Sequence, residues 1–249
     1  MKSYLSLIFS ILISFPLYAQ NTAISKGKAT AYQGYIAGNK SQWSAGISSL
    51  KAALQKDPEN RQLAYEYLVA EYGKIGFCNT TGDCGDLVDL IEDSQKLLKK
   101  LMKEEGNSSQ YSALMGGLIA MEIEQKPAQM MFLGPKCSSY ISESVDMDTK
   151  NPTAWVEKGN LKYHAPRLFG GDMEEAIECF QKAISLYEAK PSLKANSWQY
   201  LHALAWLGKA YEEEDEYGKA KQTFEKALRV EPNFLWVKNE LLPELLKNG

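Results

Sequence analysis

LHALAWLGKAYEEEDEYGKAKQTFEKALRVEPNF, residues 201–234, is the stretch from which the fold is decided. Leu204, Leu207, Gly208 and Tyr211 fall on one helical face, and Ala220, Phe224, Ala227 and Leu228 form a second helical stripe. Small residues at Gly208 and Ala220 predict two helices packed closely, with Tyr211 and Phe224 filling the space beside the contact. Glu214-Asp215-Glu216 makes the turn between them, and Pro232 ends the unit.

The same offsets recur outward along the chain. Gly34, Gly46, Leu50, Ala53 and Pro58 reproduce them in residues 27–60, where Asp57-Pro58-Glu59-Asn60 closes the unit as Glu231-Pro232-Asn233 closes the later one. In residues 152–190, Trp155 and Gly159 match a first helix and Ala176, Phe180 and Ala183 a second, with extra length in Ala165-Pro-Arg-Leu-Phe-Gly-Gly-Asp172. Pro166 and Gly170-Gly171 break helix there, while Asp172 and Glu175 have the spacing of a capping box. Further pairs are expected over 61–105, split by a cysteine-bearing loop, and over 108–148, with an irregular junction at Gly134-Pro135.

These spacings resemble the tetratricopeptide repeat, most clearly in 201–234, whose period of roughly 34 residues suits one two-helix unit. The resemblance implies an all-α, right-handed α-α superhelix of five helix pairs, with a terminal helix over 235–247 covering the last pair. The Ala165–Asp172 insertion is also similar to one in periplasmic helical components of some TRAP-type transporters. That likeness implies a small-molecule-binding helper of a transport system.

Lys2, the apolar run Leu5–Leu17 and Tyr18-Ala19-Gln20 have the three parts of a secretory leader, so residues 1–19 are expected to be removed and residues 20–249 to form one domain. The run is shorter than the roughly 20 residues a membrane-spanning helix needs. No later segment is apolar enough to span a bilayer, and the mature chain is expected in the periplasm or secreted. With 28 Lys and Arg against 31 Asp and Glu, the formal charge is −3, and no basic cluster offers phosphates a positive face. A nucleic-acid partner is therefore not expected.

Cys78 and Cys84 flank a short Gly- and Asn-containing stretch in an exported chain, which predicts a disulfide between them. Five intervening residues match neither a redox motif nor common zinc spacing. Cys137 and Cys179 fall in apolar helical patterns and read as buried thiols, with a second bridge between them left open. The two histidines, His164 and His202, belong to no ligand-spaced pair, no glycine loop carries the Lys-Ser/Thr of a phosphate cradle, and no serine sits in a nucleophile elbow. No metal, cofactor or catalytic residue is expected, which leaves binding.

In the repeat family, ligands such as extended peptides use the concave face lined by first helices. That resemblance places Tyr35, Tyr65, Tyr72, Asn160, Tyr163, His164, His202 and Lys209 on the inner side. Tyrosine offers contact area at low entropy cost, and asparagine bonds both edges of a peptide group. Leu168 and Phe169, at the tip of the inserted loop, form a second candidate contact. The expected partner is an unidentified protein or peptide, the alternative a small molecule.

Overall fold

The computed structural model describes residues 22–81 and 87–248; the expected leader 1–19 and Cys84 lie outside them. Ten long helices run as five antiparallel pairs. They are α1 (22–36) with α2 (Lys40–Lys56), α3 (Arg61–Thr81) with α4 (Leu87–Glu105), α5 (Ser109–Gln125) with α6 (Met130–Met147), α7 (Pro152–His164) with α8 (Met173–Ala189), and α10 (Trp198–Glu213) with α11 (Tyr217–Val230). A short α9 (Pro191–Lys194) joins the last two pairs, and a terminal helix ends in α12 (Leu242–Asn248). No strand occurs among the described residues. The chain folds as the expected solenoid of helix pairs.

The small-against-large packing read from the sequence is the packing found. A Cβ on Gly208 would lie 2.2 Å from Phe224 Cε1, and one on Gly159 would lie 2.7 Å from the equivalent Phe180. Ala220 and Ala176 are fully enclosed in the same contacts. In the first pair the small residue faces backbone instead of a ring, because a Cβ on Gly34 would meet the backbone nitrogen of Trp43 at 2.4 Å.

Helix starts are fixed by side chains that take up the free N–H groups of the first turn. Asn39, Ser108, Asn151, Asp172 and Ser197 each accept from a backbone N–H two or three residues on. At α8 only half of the expected capping box forms. Asp172 accepts from Glu175 N at 3.0 Å, but the Glu175 carboxylate pairs with Lys158 and Lys162 on α7, and Asp172 N donates to Lys162 O.

Two local expectations are corrected, and the expected terminal helix is found with an irregular turn. The helix α3 runs through Cys78 to Thr81, so Cys78 lies within a helix instead of opening the cysteine loop. Gly134-Pro135 lies inside α6, not at its junction; Gly134 has no Cβ to collide with the proline ring, and the irregular step is the 3-10 turn Pro127–Gln129. The terminal helix passes through a π-helical turn, Val237–Leu241, just before Pro243, whose missing N–H and ring the wider turn accommodates.

The two ends of the solenoid meet. Tyr32 of α1 donates to Glu231 beyond α11 at 3.0 Å, and the Tyr35 ring lies 5.2 Å from Phe234 and 5.8 Å from Trp198. Trp198, at the start of α10, also meets Trp43 at 6.1 Å and Tyr72 at 6.2 Å. Room for both indoles comes from Gly73, where a Cβ would lie 2.6 Å from Trp43 and 2.8 Å from Trp198. The inner face of the early repeats is thus filled by side chains from the last one.

Candidate functional site

The eight inner-face positions divide into two groups. Tyr35, Tyr65 and Tyr72 belong to the packed early repeats: Tyr35 is held among Trp43, Trp198 and Phe234, Tyr65 meets Tyr111 at 5.9 Å, and Tyr72 is only 7% exposed. Asn160, Tyr163, His164, His202 and Lys209 belong to the last two repeats, around a tryptophan absent from the sequence-based set. Around the Trp206 ring stand His164 at 4.6 Å, Tyr163 at 4.9 Å, His202 at 5.8 Å and Trp236 at 6.0 Å, with Lys209 Nζ 5.7 Å from its centroid. His164 is exposed and the other ring residues of this patch are half-buried.

The geometry follows from helical spacing. Trp198, His202 and Trp206 lie four residues apart on α10 and so form one stripe, anchored by the Ser197 cap. Asn160, Tyr163 and His164 are the facing residues of α7, which meets that stripe through Asn160–His202 and Tyr163–Trp206 and packs on α8 through Gly159–Phe180. That α10 periodicity was the signal available for Trp206 and Trp198; Trp236 lies beyond the repeat, where the register gives no guidance.

Beneath the patch a polar chain runs inward. His202 Nε2 lies 3.1 Å from Asn160 Oδ1, Asn160 Nδ2 donates to Glu157 at 3.2 Å, and the Tyr72 hydroxyl donates to the same carboxylate oxygen at 2.7 Å. With the Asn160 oxygen facing it, the imidazole carries its proton on Nε2. Glu157 is 2% exposed, and its burial pushes the carboxyl up to about 7 despite the two hydrogen bonds that favour its charge. Gly117 makes the space, since a Cβ there would lie 2.4 Å from the Tyr72 hydroxyl. His202 is moved the other way, well below the ordinary histidine value, by burial and then by His164. Both changes favour uncharged side chains. Glu157 is enclosed by protein and offers no face to a substrate.

The inserted loop is a tight turn. Arg167–Phe169 forms a 3-10 turn, Gly170 adopts φ 90°, and Gly171 N donates to Pro166 O. Leu168 is displayed at the tip, 88% exposed, with Phe169 beside it. Cys78, Cys137 and Cys179 are buried, and Cys137 and Cys179 are both free thiols. Among the described residues no group of three His, Cys, Asp or Glu side chains is arranged to hold a metal. A separate depression of about 690 Å³ lies between α4, α5 and α6, lined by residues including Gln95, Glu122, Lys136 and Tyr140 and by none of the predicted set.

The tetratricopeptide repeat model matches residues 168–190, which hold α8, and 201–234, which span most of the last helix pair, α10 and α11. A thermophilic TPR protein of Thermus thermophilus shares the fold with a TM-score of 0.62 at 14% identity, over 92% of this chain and 99% of that one. The HusA haemophore of Porphyromonas gingivalis shares it with a TM-score of 0.61 at 17% identity, over 78% and 96% respectively. Human cilia- and flagella-associated protein 70 is 31% identical over 100 residues, 40% of this chain; the match spans 8% of that protein's length. Residues 168–190 and 201–234 thus carry tetratricopeptide repeats, and the whole has the fold of tetratricopeptide-repeat proteins, whose members typically serve as protein–protein scaffolds.

Proposed function

We propose that this protein is an exported, non-enzymatic scaffold that holds a protein or peptide on the inner face of its last two repeats, around Trp206. The observation that carries the proposal is the convergence of Tyr163, His164, His202, Lys209 and Trp236 on one half-buried indole. Large rings with polar tips, partly wet and partly desolvated, are the composition of binding hot spots. Export rests on the leader pattern of residues 1–19, and no helix among the described residues is long and apolar enough to cross a membrane. Residues 20–249 as bait, compared with a His164→Ala/Lys209→Ala double variant, test the reading. Loss of a reproducible protein partner at unchanged helicity supports it; undiminished retention overturns the assignment to this face.

A second reading, a small-molecule-binding helper of a transport system, is supported by the same patch. Two imidazoles biased toward neutrality beside an indole suit an uncharged or planar ligand. The haemophore among the fold neighbours carries its cargo on a related scaffold. A small molecule retained in native mass spectra, and lost from the double variant, would favour this reading over the first.

A further inference from the structure

The α10 stripe that ends at Trp206 begins at Trp198, where the first and last repeats meet. Two hydrogen-bond donors are stranded at that seam. The Tyr35 hydroxyl and the Trp198 indole N–H are both buried, and neither has a partner among the described residues. The two rings are in contact, with centroids 5.8 Å apart, and Trp198 as a whole is 8% exposed. Stranding is not general at the centre of the molecule. The neighbouring Trp43 Nε1 donates to Ala70 O at 3.0 Å, and the Tyr72 hydroxyl reaches Glu157.

A buried donor left unmade is costly, and native proteins tolerate few of them. An indole N–H can only donate and a phenol O–H is free to do so, so the complement of this pair is an acceptor oxygen. The ring neighbours of the pair are Trp43, Tyr72, His202 and Phe234, and His202 is held toward neutrality. None supplies the positive charge that a buried carboxylate requires, so a neutral carbonyl fits and an anion does not. The surrounding rings form an apolar wall for whatever flanks that carbonyl.

We propose that the seam between the first and last repeats binds a neutral, carbonyl-bearing ligand, an amide or peptide segment with an apolar side chain, whose oxygen accepts from Tyr35 and Trp198. The proposal deepens the peptide-scaffold reading, because the α10 stripe leads a chain lying on Trp206 directly to this pair. The Tyr32–Glu231 hydrogen bond, one helical turn from Tyr35, is the polar tie between the first helix and the segment after α11 at this seam.

The test uses the full mature chain labelled with ¹⁵N at its 5 tryptophans, with the Trp198 and Trp206 indole resonances assigned by single Trp→Phe variants. The probe is N-acetyl-leucine methylamide, with sodium acetate as the charged comparison. A saturable shift of the Trp198 resonance by the amide but not by acetate is expected, with affinity reduced on the order of tenfold in Tyr35→Phe. A Trp206 shift with Trp198 unmoved overturns the seam and leaves the Trp206 reading standing. A Trp198 shift with Trp206 unmoved supports the seam and counts against the Trp206 reading. An equal response to acetate, or no response of Trp198 to the amide at its solubility limit, overturns the proposal.

Discussion

Tyr72 of α3 donates a 2.7 Å hydrogen bond to Glu157 of α7, and both groups are buried at the centre of the solenoid. Asn160 then carries the contact outward from that carboxylate to His202. The interior of the early repeats and the face of the late ones are therefore joined by one hydrogen-bonded chain, in which Glu157 and His202 respond to acid in opposite senses.

The first prediction is for stability against pH. Glu157 has a folded value of about 7 against an ordinary 4.5, so its contribution is fully present below about 4.5 and lost as pH rises through 7. The total is on the order of 3 kcal/mol. His202 is depressed below its ordinary 6.5, so its contribution is present above 6.5 and lost as pH falls. Part of its ring stays wet, which moderates the effect. The two slopes oppose each other between 4.5 and 6.5. Glu157→Gln keeps an oxygen for Tyr72 and Asn160 while removing the charge. It should stabilise the protein at pH 8 by about 1–3 kcal/mol and leave a steeper loss on acidification. Denaturant midpoints at pH 5 and pH 8 check this, and parallel profiles for the two proteins would show that Glu157 is not the group responsible.

A paired substitution separates packing glycines from incidental ones. Gly34→Ala drives a methyl into the Trp43 backbone, which cannot rotate away, and should cost about 1–3 kcal/mol or more. Gly218→Ala on α11 meets nothing within 4 Å and should add about 0.5–1 kcal/mol through helix propensity. Thermal melts of the two variants read both effects, and equal shifts would contradict the packing account.

Much of the fold was legible because a repeat writes its helix contacts into sequence at fixed offsets, as Gly208–Phe224 and Gly159–Phe180 show. What was not legible was long-range. Nothing in the spacing says that Tyr32 reaches Glu231 or that Trp198 enters the inner face of α3, because a repeat pattern describes a unit and its neighbour but not where the ends arrive. The register therefore placed Tyr72 and Tyr163 on the same side without distinguishing the enclosed half of that side from the accessible half. Glu157 was passed over for a related reason: an isolated carboxylate on a helix reads as solvent-facing until a partner such as Tyr72 is found elsewhere in the chain.

The Cys78–Cys84 bridge is retained as a proposal, with Cys78 buried on α3. The unreduced chain should yield a peptide containing both residues that is two hydrogens lighter than its reduced form. Two alkylatable thiols in that peptide before reduction would show that no bridge forms.

The last prediction concerns the loop tip, where display and support come from different residues. Leu168 points its side chain into solvent, so Leu168→Ser removes apolar surface without opening a cavity and should change stability by no more than about 0.5 kcal/mol. Gly171 is the support. A Cβ there would lie 1.8 Å from the Ala165 carbonyl oxygen, so Gly171→Ala must displace the backbone of the turn and should cost about 1–3 kcal/mol. The two changes thus differ in stability but both remove the displayed leucine from its present place. If the tip docks on the partner held at Trp206, both variants lose retention in affinity capture, although only one of them melts early. Retention that follows melting temperature instead assigns the loop to structure alone.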